Sequence, residues 1–250
     1  MSRIDQYYYL YTPSSEISMK EKNEFEKYTS KLNLEYETIE SFVPTSSIEE
    51  TYDIVKEKLP FLLPLEKHTW PNLLGSGTGA CGCSNYYMWQ KVIETNKTTV
   101  IFEHDARPLI HFDHIEIPDN CIVVLGPRVT DINSYFPPRK ADTYYRVERH
   151  GGSAAYAITP KTAKLLIDHL CEYGVYDDVD QTFFLRSNSK NISNYIEVPI
   201  LAVDPPPCVV VVGENNKMKK STLGRVSDNG MQSNLNLYIT PGFKEGLKND

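Results

Sequence analysis

Apolar and polar residues along the chain alternate between short continuous apolar runs and longer stretches with helical spacing. Residues 4–11 form a Tyr-rich run of strong β propensity that stops at Thr12-Pro13-Ser14-Ser15, where turn and helix-capping residues cluster. The pattern predicts a first strand, then an exposed, charged helix over 15–31 and a second strand over 36–42. Ser47 and Glu50 make an S-x-x-E capping box, and Ile48, Tyr52, Val55 and Leu59 follow on one helical face. Residues 60–80 contain three prolines and three glycines and are expected to form a loop. A helix over about 84–96 follows, its Tyr86, Trp89 and Ile93 stripe assigned to core packing.

Strands are predicted at 98–102, 121–125 and 153–158, the last behind Gly151-Gly152. Thr159-Pro160 is a strong helix start, Ala163, Leu166, Ile167 and Leu170 give that helix an apolar face, and Gly174 ends it. A helix-like stretch covers 181–186, two strands lie within 195–212 around Pro205-Pro206-Pro207, and a polar tail follows Gly213. Helices alternating with short, continuously apolar strands predict an α/β sheet covered by helices on both faces. In such sheets ligands collect beyond the carboxyl ends of strands. A single domain is read over 1–226, with a polar tail over 227–250.

Composition narrows the function classes. The net charge of −7 disfavours a broad electrostatic grip on nucleic acid, although Lys217, Lys219, Lys220 and Arg225 form one local basic cluster. The N-terminus lacks the apolar core of a signal peptide, and no stretch approaches the roughly 18 apolar residues of a membrane span, so a cytoplasmic location is expected. Five cysteines without repeating spacing describe no disulfide framework. Cys81 and Cys83 have no second cysteine pair with which to complete a zinc site.

The candidate chemistry sits at the end of the 98–102 strand, in Glu103-His104-Asp105. Two carboxylates one residue apart can face a hard divalent cation, directly or through water, whose other positions bind diphosphate oxygens. Strand alternation turns His104 away from that cation, and His111 and His114 are read as surface loop residues. Tyr11 and Thr12, at the end of the first strand, are assigned to the nucleotide side of the same site. A second acidic group, Asp177, Asp178 and Asp180, contains Asp180 and Asp178 as candidates for the base that accepts a proton from an attacking hydroxyl. The competing reading is that these aspartates start a helix.

The order of these motifs resembles glycosyltransferase family 25. It is carried by Gly82-Cys83-Ser84 with Trp89, by Phe102-Glu103-His104-Asp105-Ala106, and by Gly152 with Tyr156 and Thr159-Pro160-Lys161-Thr162-Ala163. Val179-Asp180 and Ser221-Thr222-Leu223-Gly224 complete the series, over roughly 79–226. The resemblance implies a GT-A-like (Rossmann-like) fold, a nucleotide-sugar donor such as a UDP-sugar, and Mn²⁺ or Mg²⁺. It also implies inverting transfer of a hexosyl or pentosyl group to a hydroxyl acceptor, a glycan foremost. It gives the metal role to Glu103 and Asp105 and the catalytic carboxylate to Asp180. Three positions depart from the family pattern: His104 replaces an acidic residue, Asn85 stands in place of His, and the first strand lacks Asn-Leu followed by Arg. Two alternatives stay open, namely a hydroxylated base in bacteriophage DNA as the acceptor, and a non-catalytic carbohydrate- or partner-binding module.

Overall fold

The computed structural model describes residues 1–45, 47–63, 77–126, 128–129, 143–147, 153–174, 179, 183, 198–204 and 207–211. Its centre is a seven-stranded mixed sheet. In chain order the elements relevant to it are β1 (Ser2–Arg3), β2 (Gln6–Tyr11), α1 (Glu16–Lys31), β3 (Glu37–Glu40), α2 (Ile48–Lys58), α3 (Gly77–Thr95) and β4 (Thr99–Phe102). They continue with β5 (Ala106–Pro108), β6 (Glu116–Ile117), β7 (Ile122–Val124), β8 (Arg128–Val129), β9 (Thr143–Val147), β10 (Ala155–Ile158), α4 (Pro160–Tyr173), β11 (Ile200–Asp204) and β12 (Cys208–Val211). The sheet order is β3-β2-β4-β10-β7-β11-β9. Strands β3, β2 and β4 run parallel, β10 is antiparallel to both β4 and β7, and β11 is parallel to β7 and antiparallel to β9.

Period-2 alternation along the strands explains the two cores. Tyr8 and Leu10 of β2 join Ile101 of β4, Tyr156 of β10 and residues of α2, α3 and α4 on one face. Tyr9 joins Val100, Phe102 and Phe25 of α1 on the other. Helices therefore cover both faces, as the sequence pattern predicts. Phe25 is the anchor of α1. It stacks on Tyr9 with ring centroids 4.1 Å apart and is fully buried, a burial that contributes about 1.5–3 kcal/mol.

The helix starts follow their capping chemistry. The Oγ of Ser15 accepts from the Ser18 N–H, that of Ser47 from Glu50, and Oγ1 of Thr159 from Thr162, with Pro160 at the first turn of α4. Gly174 ends α4 at φ 70°, where its N–H reaches the Leu170 carbonyl at 3.0 Å.

One boundary differs substantially from the sequence expectation. Helix α3 begins at Gly77, inside the expected 60–80 loop, instead of near Ser84. Gly77, Gly79 and Gly82 have weak helix propensity, but the turn carrying Ala80, Cys83 and Ser84 is buried, and tertiary packing outweighs propensity there. Ser84 ties it down, donating to the Ala80 carbonyl and accepting from the Phe42 N–H. The short strands β5, β6, β8 and β9 have no counterpart in the sequence expectations. Residues 212–250, including the proposed boundary at 226 and the expected polar tail, lie outside the described residues, as do all but Phe183 of the helix-like 181–186 stretch. Among the described residues, no helix is long and apolar enough to cross a membrane.

Candidate functional site

All four residues of β4 are buried, and the register Tyr9↔Phe102 and Tyr11↔Glu40 brings the carboxyl ends of β3, β2 and β4 to one edge of the sheet. Val100 and Phe102 point into the α1 core and Ile101 into the α3 core. Alternation continued by one residue delivers the Glu103 side chain to α3. The ladder ends there. The Glu103 N–H donates to the Ala154 carbonyl at 2.8 Å, and the Ala106 N–H returns to the Glu103 carbonyl at 3.0 Å, closing a turn over Glu103, His104 and Asp105.

Oε1 of Glu103 accepts from three side chains. Ser153 Oγ lies at 2.5 Å, Asn85 Nδ2 at 3.4 Å and Cys81 Sγ at 3.7 Å. Behind Asn85 runs a buried chain in which Trp89 Nε1–H donates to Tyr156 Oη at 2.7 Å and Tyr156 donates to Asn85 Oδ1 at 2.7 Å. Trp89, Tyr156 and Asn85 are all fully buried.

The other side of the turn is held by its backbone. The His104 carbonyl accepts from Tyr9 Oη at 3.2 Å and from Arg107 Nη1 at 3.1 Å. Arg107 is buried, donates also to the Ala106 carbonyl, and pairs through Nη2 with Glu21 of α1. Burial pushes the Tyr9 phenol above its ordinary range; nearby Arg107 opposes the shift and Asp105 adds to it. Tyr9 therefore stays protonated and remains a donor.

Asp105 is only partly exposed, yet its Oδ1 is buried and finds no hydrogen-bond partner among the described residues. A buried carboxylate oxygen without a donor is costly, and a cation or an ordered water relieves that cost. Among the described residues no group of three or more His, Cys, Asp or Glu converges on one point. A Mg²⁺-type ion needs no such group, because it takes one or two carboxylates and fills its remaining positions with water and phosphate oxygens. The residues present therefore fit that ion.

Tyr11 and Thr12 lie at the same sheet edge, already engaged within the protein. Tyr11 donates to Glu40 at 3.3 Å under the ammonium of Lys22, 4.8 Å from its ring centroid. The Thr12 N–H donates to Ser18 Oγ, and its hydroxyl meets Ser41 Oγ at 2.6 Å. His111 is exposed, and His114 is partly exposed in the same loop. The Cys-Gly-Cys thiols diverge on α3: Cys83 enters the core, where burial pushes its thiol up to about 12, and Cys81 reaches Glu103. The aromatic stripe is core, with Trp89 packed edge-on against Phe183. Asp177, Asp178 and Asp180 lie outside the described residues, and so do Lys217, Lys219, Lys220 and Arg225, the basic cluster that, with the expected location and the departures from the family pattern, motivated the DNA-acceptor alternative. Neighbouring Val179 is buried.

The acid turn at the end of a buried parallel strand, facing a small-residue helix, lies within a segment that matches a known family. Residues 14–117 match glycosyltransferase family 25, described as an LPS biosynthesis protein. The family 25 segment runs from the start of α1 through Asn85, Trp89, Glu103 and Asp105 to β6, and overlaps the sequence resemblance over 79–117. Its extent differs from the 79–226 of that resemblance, reaching further toward the N-terminus and stopping before Tyr156. The match supports a glycosyltransferase. No curated protein matches the chain.

Of the residues around the site, sequence reasoning found Glu103 and Asp105 and noted Asn85 only as a departure. It missed Ser153, Tyr9, Arg107 and Glu21. The contacts of Ser153 with Glu103, of Tyr9 with His104 and of Arg107 with Glu21 join residues 50 to 95 apart in sequence, a separation that no local pattern signals.

Proposed function

We propose that the protein is a metal-dependent glycosyltransferase of GT-A-like architecture, moving a sugar from a nucleotide donor, a UDP-sugar first, to a hydroxyl acceptor such as a glycan. The observation that carries this reading is the buried, unpartnered Oδ1 of Asp105 in a turn whose backbone is fixed from both sides. Asp105 would hold Mn²⁺ or Mg²⁺ directly, and Glu103 would do so through Oε2 or a water, since its three donors all approach Oε1. When bound, the cation supplies a Lewis-acid contact to the leaving diphosphate.

The chain's own residues do the rest. Tyr9 and Arg107 keep the turn from rearranging, so the two carboxylates need no reorganisation as charge develops nearby. In an inverting transfer the acceptor oxygen attacks the anomeric carbon and the bond from that carbon to the phosphate oxygen breaks, its electron pair leaving with the diphosphate. The acceptor proton passes to a carboxylate. Asp180 is proposed for that role, with Asp178 orienting the acceptor. Tyr11 and Thr12 are proposed to border the nucleotide.

Incubation with Mn²⁺ and a panel of nucleotide sugars tests this directly. Slow release of nucleoside diphosphate is expected with at least one donor, and it should be lost in Asp105→Asn. Failure of every donor to bind or turn over with any divalent ion would end the reading. Metal-dependent nucleotide binding without turnover, in the presence of glycan acceptors, would make the chain a binding module.

A further inference from the structure

We infer that Asn85 is a positioning residue for the sugar-transfer site, setting the orientation of Glu103 through a buried hydrogen-bond chain whose polarity is fixed at its far end by Trp89. The inference rests on the proposed role of Glu103 and deepens it. An indole N–H can only donate, so Tyr156 Oη must accept from Trp89. A phenol has one proton, and with its oxygen already accepting from Trp89 that proton goes to Asn85 Oδ1. The amide then has no choice of orientation, because its oxygen is taken and its NH₂ must lie on the opposite side.

On that side stand two oxygen acceptors, the Cys81 carbonyl at 3.1 Å and Glu103 Oε1 at 3.4 Å, with the Cys81 sulfur beyond them at 3.8 Å. A flipped amide would set oxygen against oxygen at the two oxygen contacts. Each link is thus dictated by the one before it, from the core of α3 across to β10 and back to the strand end. The last link, at 3.4 Å, is the longest and weakest, so Asn85 biases a carboxylate that Ser153, at 2.5 Å, grips. Together they occupy Oε1 and leave Oε2 as the oxygen without a donor in this set.

A neutral imidazole offers the same polarity, with one acceptor nitrogen for Tyr156 and one N–H for Glu103. A leucine offers neither. The test compares wild type with Asn85→Leu, Asn85→His and Tyr156→Phe in Mn²⁺ titrations, in Mn²⁺-dependent nucleoside diphosphate binding and in donor hydrolysis. Thermal melts run in parallel. Asn85→Leu is expected to weaken Mn²⁺ affinity and turnover by about 10–100-fold, the usual effect of removing a partner that orients a ligand, and Asn85→His should recover most of that loss. Tyr156→Phe, which keeps the ring in the core, should lower both in the same direction and serves if Asn85→Leu does not fold.

Wild-type metal affinity and turnover in Asn85→Leu or Tyr156→Phe, with only the melting temperature reduced, would make the chain purely structural and overturn the assignment. That result would leave the transferase reading standing. Absence of Mn²⁺-dependent nucleotide binding in wild type would instead remove the transferase reading, and the role of Asn85 with it.

Discussion

Asp105 and Glu103 are neighbours with opposite situations. Glu103 Oε1 has three donors, whereas Asp105 Oδ1 is buried with none among the described residues. A carboxylate oxygen held in that state is costly to the metal-free protein and favours whatever cation relieves it. Asp105→Asn is therefore expected to raise the melting temperature without divalent ions, by up to about 1 kcal/mol of stability, while lowering donor hydrolysis by roughly 100-fold or more. Added Mn²⁺ should stabilise wild type by mass action and leave the variant unchanged. Calorimetric melts with and without Mn²⁺ check both halves. A variant that melts lower and still responds to the ion would contradict the role given to Asp105.

At the scale of elements, the acid turn is held toward α1 by Arg107 and toward α3 by Cys81 and Asn85. Arg107 links β5 to α1 through Glu21 and spans the His104 carbonyl. Arg107 is buried but Glu21 is partly exposed and stays solvated when its partner is removed, so Arg107→Met should cost about 1–3 kcal/mol through the unpaired His104 and Ala106 carbonyls, read as a lowered denaturation midpoint. On the α3 side, the glycine-rich first turns obscured the helix start in the sequence. A Cβ built on Gly82 would meet Tyr86 Oη at 3.4 Å, ordinary contact distance. Gly82→Ala should therefore stabilise α3 by about 0.5–1 kcal/mol through helix propensity. A loss of stability in a thermal melt would show that the close approach of Tyr86 matters more than backbone freedom.

At the scale of the whole molecule, His169 carries a marked pH sensitivity. His169 of α4 is buried against Tyr173 and Phe183, and burial pulls its pKa down to about 4, with Glu172 partly opposing the shift. Its folded pKa lies below the unfolded value of about 6.5, so the unfolded chain binds more protons in acid. The stability from a neutral His169 is then complete above about pH 6.5 and is lost as pH falls toward 4, by up to about 3 kcal/mol. Urea midpoints from pH 7 to 4 should fall less steeply in His169→Phe than in wild type. Parallel slopes would place the acid sensitivity elsewhere.

Period-2 apolar runs, capping residues at Ser15, Ser47 and Thr159, and the apolar face of α4 were legible in the sequence because each depends on residues a few positions apart. They determined the α/β class, three of the four helix starts among the described residues and the strand end carrying Glu103 and Asp105. The start of α3 at Gly77 was not legible, since small residues read as a loop until the surfaces they pack against are known. Nor were the antiparallel placement of β10, which brings Ser153 and Tyr156 to the site, or the pairing of Arg107 with Glu21. Only the tertiary structure decided which carboxylate oxygen is held and which is left without a partner. That distinction arises from contacts between strands and helices far apart in the chain, set by how the sheet orders its strands.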